Sequence, residues 1–157
     1  MTWTAPRTWT DGETVTAVEM NAHVRDNLKA IGDAWAAYTP TFTNLTLGAS
    51  TVAANYSAAG KAIRYRGKLT LGAGFAITGQ LRISLPAAHA AGEGAWPIGQ
   101  VALYDASAAT YRWWFAVGAT STDILFTDAS DTRVTSTVPW TWAAGDVIRW
   151  ETEYESA

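Results

Sequence analysis

The first chemistry to weigh lies in the acidic residues. Glu151, Glu153 and Glu155 alternate along "WETEYES" near the C-terminus. Two carboxylates on one strand face could serve as the acid and nucleophile of a glycoside hydrolase. A second grouping, Asp123, Asp128 and Asp131, surrounds "TDASD" at 127–131. Its oxygens could take a calcium ion, but the loop lacks the glycine and terminal glutamate of an EF-hand. In both places the simpler reading is preferred: a solvated strand face and a plain turn.

Histidine occurs only at His23 and His89. His23 and Asp26, three apart, share a helical face, but no third ligand stands at a metal-binding spacing, so they are read as surface neighbours and no zinc site is expected. There is no cysteine, hence no disulfide and no thiolate ligand. A G-x-S-x-G elbow, an H-E-x-x-H helix, a Walker loop and a Rossmann fingerprint are all missing. The expectation is therefore a protein that is not an enzyme, with no catalytic residue, no cofactor and no metal. The sequons "NLT" (44–46) and "NYS" (55–57) are taken as chance.

Aromatic residues are the strongest anomaly: nine Trp, six Tyr and four Phe among 157 residues. Tryptophan buries a large ring but must satisfy an indole N–H, which favours core edges and interfaces. In "TYRWWFAVG" (110–118), period-two alternation puts Tyr111, Trp113, Phe115 and Val117 on one face, expected to be core. Trp114 and Arg112 then share the outer face, as a glycan or interface contact. Trp96, Trp140 and Trp142, near turns and prolines, are expected to cap sheet ends.

These residues need a scaffold, and its pattern changes once along the chain. Thr16 and Glu19 fit a capping box that starts a helix. Met20, Val24, Leu28, Ile31 and Trp35 then form an apolar stripe, with Arg25, Asp26, Lys29 and Asp33 off it; Gly32 frays its last turn. From Tyr38 the period becomes two. In "KAIRYRGKLTL" (61–71) Ile63, Tyr65, Leu69 and Leu71 share a face; Leu81, Ile83 and Leu85 do so in "QLRISLP", and Ile148, Trp150 and Tyr154 in "GDVIRWETEYE". Further strands are expected near 41–47, 51–57, 97–104, 110–118, 123–128 and 133–140. The fold class is mainly β: an extended arm and one helix over residues 1–37, then an antiparallel, jelly-roll-like β-sandwich over 38–157.

Composition narrows the partners. Forty-eight per cent of residues are apolar and 16% charged, enough apolar surface to offset the entropy of folding. A formal charge of −3 offers no positive field for phosphates or anionic lipid, so neither nucleic acid nor membrane is expected as a partner. No window reaches the roughly 20 apolar residues of a membrane span, and the N-terminus has no secretory-signal pattern, so synthesis in the cytoplasm is expected.

The helical stripe is narrow, closer to a bundle seam than to a helix docked on a globular core. About two heptads are too few to settle the matter by pattern. The opening "TWTAPRTWTDGETVTAVEMNAHVRDNLKAI" (2–31) resembles the N-terminal signature of tail proteins from phages and prophages of actinobacteria. There a Trp-rich arm and a "T-A-x-x-M-N-x-H-x-R-D-N-L" helix precede a β domain. "AYTPTFTNLTLG", "YSAAGKAIRYRGKLTLGAG" and "LRISLPAAHA" are similar to the β-rich C-terminal domains of phage minor tail or fibre proteins, and the resemblance runs to about residue 90.

The resemblance implies a virion component at the distal tail: a homotrimer with Met20, Val24, Leu28, Ile31 and Trp35 in the seam. Trp3 and Trp9 on the arm would attach to other tail or baseplate proteins, and the β domain would face the cell-surface polysaccharide of the host. The chain has no repeats and no shaft, which leaves a compact tip, a plug or a decoration open. The alternatives are a free carbohydrate-binding module, a fibre component of a phage-like injection system, and a glycan-cleaving enzyme using Glu151 and Glu153 or the Asp123 group.

Overall fold

The computed structural model of the chain describes residues 4–31, 35–88 and 97–157. Nine strands dominate it: β1 (Ala36–Tyr38), β2 (Phe42–Thr46), β3 (Thr51–Ala59), β4 (Ala62–Thr70), β5 (Ala76–Ser84), β6 (Pro97–Asp105), β7 (Thr110–Thr120), β8 (Asp123–Thr127) and β9 (Val147–Glu155). They form one antiparallel sheet in the order β1-β3-β4-β9-β6-β7-β8-β5-β2. The expected sandwich of two sheets is thus replaced by a single curled sheet. The last strand is the reason, because β9 pairs with β4 on one side and β6 on the other and joins the halves that a sandwich keeps apart. The twist of so many strands curls the sheet until its two flanks meet. At that closure the Tyr38 hydroxyl, on β1, donates to the Leu85 carbonyl just past β5 (2.9 Å).

Inside the curl lies one core. Ile63, Tyr65, Leu69 and Leu71, then Leu81, Ile83 and Leu85, then Ile148, Trp150 and Tyr154 are all buried, as their alternation predicts. The inward position between Tyr65 and Leu69 is Gly67, over which the Trp150 indole lies. Trp150 packs edge-on against Tyr65, with ring centroids 5.8 Å apart. Burial pushes the Tyr65 hydroxyl above the ordinary tyrosine range, while the Trp150 N–H beside it pulls the other way.

On β7 the expected faces are reversed over residues 113–116, while Val117 is buried as expected. Trp114 is 6% exposed, whereas Trp113 is 71% exposed. Register decides this: Trp114 pairs with Val101 and Ala116 with Phe126, and residues paired across strands share a face. Both faces of "YRWWFAVG" are apolar, so alternation alone cannot tell inside from outside. Arg112 stays exposed at the inner rim, its guanidinium 5.9 Å from the Trp140 ring centroid.

The strand expected at 133–140 is an irregular loop carrying only the isolated bridges Thr127↔Arg133 and Thr135↔Val138. Pro139 has no N–H to offer a ladder, and the segment folds back to close the end of the core. Trp142 donates its indole N–H to the Thr135 carbonyl (2.9 Å), and Trp140 donates to Asp146 (3.2 Å). Asp146 is buried, and its carboxylate also accepts the amides of Ala106 and Ala143 (both 2.9 Å). Trp96 lies outside the described residues.

The helix begins where predicted. The Thr16 amide donates to Glu19 (3.0 Å) and the Glu19 amide to the Thr16 hydroxyl (3.3 Å), a complete capping box. After Ala17–Met20 comes a π-helical turn, Asn21–Arg25, and then a second α segment, Asp26–Ile31. The Asp26 amide reaches the Asn21 carbonyl, one residue further back than in an α-helix. Trp35 is therefore not the last position of a helical stripe. It follows the helix, just before β1, and lies under the Arg66 guanidinium at 4.0 Å.

Candidate functional site

Two surfaces stand out, and the first is N-terminal. Residues 4–9 return along the helix instead of reaching away from it. The Thr4 amide donates to the Asn27 side chain (3.0 Å), whose Nδ2 donates to the Thr4 carbonyl (2.7 Å) and to the His23 carbonyl within the π turn (3.1 Å). One turn earlier, His23 Nδ1 donates to the Ala5 carbonyl (3.1 Å). Arg7 pairs with both Glu13 and Glu19, and its guanidinium covers Trp9 at 4.7 Å. Trp9 meets His23 edge to face. Thr10 and Thr16, through amide and hydroxyl, hold Glu13 and Glu19 below the ordinary carboxylate range, and Arg7 adds to the effect.

Asn27 and His23 therefore act as a clip for the returning segment, a role the sequence reading missed. Their four-residue spacing, off the apolar stripe, was the available signal. Asp26, expected beside His23, pairs with Arg25 instead. Trp3, Gly32, Asp33 and His89 lie outside the described residues.

On the same helix the apolar stripe is partly exposed. Met20 is 46%, Val24 37% and Leu28 65% exposed, with Val18 at 76% nearby. The side chain of Ile31 lies outside the described ones.

The second surface is the outer face of β7. Tyr111, Trp113 and Phe115 are all exposed. Trp113 stands opposite Ala102 on β6, which stands opposite Arg149 on β9; in the next row Phe115, Gln100 and Glu151 follow the same order. The small Ala102 side chain leaves an open groove of 440 Å³ between Trp113 and Arg149. At one end the Tyr104 and Tyr111 rings pack with centroids 4.6 Å apart.

The acidic groupings take the simple roles first assigned to them. Glu151, Glu153 and Glu155 all face outward; Glu153 pairs with Arg64 (3.0 Å) and Glu155 with Lys61 (3.8 Å). Asp128 accepts the amides of Ser130 (2.8 Å) and Thr132 (2.9 Å) and holds the turn; these bonds keep its carboxyl below the ordinary range. Asp131 pairs with Arg133 (3.1 Å), and Asp123 accepts the Thr120 hydroxyl (3.1 Å). Among the described residues no cluster of three or more His, Asp or Glu could hold a metal ion, and no helix is long and apolar enough to cross a membrane.

No family model, curated protein or solved structure matches the chain. Its function must therefore be argued from the two surfaces and from the resemblance of its N-terminal segment.

Proposed function

We propose that the chain is a non-enzymatic structural component of a phage tail, a tip or fibre element found in the virion. It is a homotrimer built on its N-terminal helix and contacts host cell-surface glycan through its β domain. The single observation that carries this reading is the partly exposed apolar stripe of Met20, Val24 and Leu28. Apolar side chains at this spacing suit a helix bundle, and each gains about 1.5–3 kcal/mol when fully buried. Three copies meeting on this stripe give it the cover that one chain lacks. The segment clipped by Asn27 and His23 then lies on the outside of the bundle, where Trp9 can engage a neighbouring tail or baseplate protein.

A second reading, a free carbohydrate-binding module, draws on the outward aromatic face of β7. Mass in solution separates the two. The tail reading expects about three times the 16.8 kDa of one chain, and a monomer that binds glycan favours the module. A glycan-cleaving enzyme is the least favoured reading, since Glu153 already pairs with Arg64 on an open strand face. Product release from purified cell wall, abolished by Glu151→Gln, would establish it instead.

A further inference from the structure

The geometry points to the groove between Trp113 and Arg149 as a binding site for an uncharged polysaccharide, which moves the expected glycan contact from Trp114 to the opposite face of the sheet. The inference rests on the glycan-contacting half of the function proposed above and gives it an address.

Shape comes first. The Trp113 indole is 71% exposed and is held on β7, whose backbone pairs with β6 at this position. Ala102 forms a low floor beside it, and Arg149 stands on the far side of the floor. Two strand spacings separate the two walls, about 10 Å. The groove is open to solvent, so a sugar can reach its floor.

Chemistry then selects the occupant. Along β9 the outward carboxylates Glu153 and Glu155 are neutralised by cations on β4 and the preceding turn. Glu151 is not, because Arg66, its cross-strand partner, turns away to stack on Trp35. Among the described residues, Gln100, Arg149 and Glu151 have no side-chain hydrogen-bond or ion-pair partner. The groove thus presents free donors on Arg149 and Gln100, free acceptors on Glu151 and Gln100, and one charge of each sign among its lining residues.

An apolar partner would strip these groups of water without replacing their hydrogen bonds. A polyanion meets Glu151, and a polycation meets Arg149. A neutral sugar fits all three features: its hydroxyls both donate and accept, and its C–H face lies flat on an indole. Ligand grooves generally combine an apolar wall with a few convergent polar groups in this way.

The test uses the full chain, titrated by calorimetry with maltohexaose, cellohexaose and mannohexaose, and with polygalacturonate as the charged comparison. At least one neutral hexasaccharide is expected to bind. Trp113→Ala should weaken that binding about tenfold or more, the loss expected when an anchoring aromatic is truncated. Ala102→Leu, which fills the floor and leaves the indole in place, should weaken it similarly. Binding of polygalacturonate alone, binding of none of the four, or unchanged affinity in both variants overturns the proposal. So does a lower oligomeric mass for Trp113→Ala, which would assign this face to a second copy of the chain. A wild type that binds neutral sugar as a monomer leaves the groove intact and defeats only the trimeric tail reading.

Discussion

Gly67 and Trp150 face each other across β4 and β9, and the indole occupies the space that a side chain at residue 67 would need. A Cβ on Gly67 would lie 2.2 Å from Cζ2 of the ring, far inside van der Waals contact. Glycine in a strand normally costs stability relative to alanine, by roughly 0.5–1 kcal/mol. Here the sign should reverse: Gly67→Ala is expected to destabilise the fold by about 1–3 kcal/mol through overpacking. Urea unfolding measures it, and a stabilised variant would mean that the indole does not lie over Gly67.

Asp146 ties the loop before β9 to the turn after β6. It is 1% exposed and accepts from two backbone amides and the Trp140 indole. Hydrogen bonds to a charged acceptor contribute about 1.5–3 kcal/mol each, and orphaned buried donors add their desolvation cost. Asp146→Ala should therefore cost about 3 kcal/mol or more, and Asp146→Asn, which keeps one acceptor oxygen, clearly less. Equal and small losses in the two urea midpoints would contradict the account.

Acid should loosen the N-terminal segment. Glu13 and Glu19 have carboxyls held below their ordinary value of 4.5 by Thr10 and Thr16, with help from Arg7. A lowered pKa stabilises the folded arrangement above the ordinary value, and that contribution disappears as pH falls through the lowered one. Nuclear magnetic resonance should show the Thr10 and Thr16 amides titrating below pH 4.5. Over the same range the protection of the Thr4 amide, relative to the intrinsic exchange rate at each pH, should fall, while amides of β4 and β9 stay protected. Midpoints at or above 4.5 would mean that these bonds do not persist in solution.

The sequence and the structure agree best where one physical rule acts alone. β4 and β9 alternate apolar and charged residues and have one wet face, so Tyr65, Trp150 and Tyr154 could be placed from period alone. The capping box of Thr16 and Glu19 is a local device, readable without any tertiary contact. β7 defeats the same logic, because Trp113 and Trp114 are equally apolar neighbours, and only the register with Val101 and Phe126 decides which turns inward. The strand β1 is three residues long, too short to show a period. The π turn and the return of residues 4–9 depend on Asn27 bonding partners 23 and four residues away, which alternation does not encode. The exposed aromatic face followed from β7: an exposed Trp114 beside Arg112 was expected, and the exposed indole is that of Trp113. For the helix the spacing announced a stripe without saying what lies on it.

That question turns on Leu28, the most exposed of the described stripe residues at 65%. Light scattering on the intact chain and on Leu28→Asp puts the proposed assembly to its most direct test. The wild type should weigh about three times 16.8 kDa. The variant should fall to a single folded chain with its β domain intact, because an aspartate in an apolar seam has no counter-charge to offset its desolvation. A wild type that stays monomeric at all concentrations, or a variant whose mass does not change, contradicts the account.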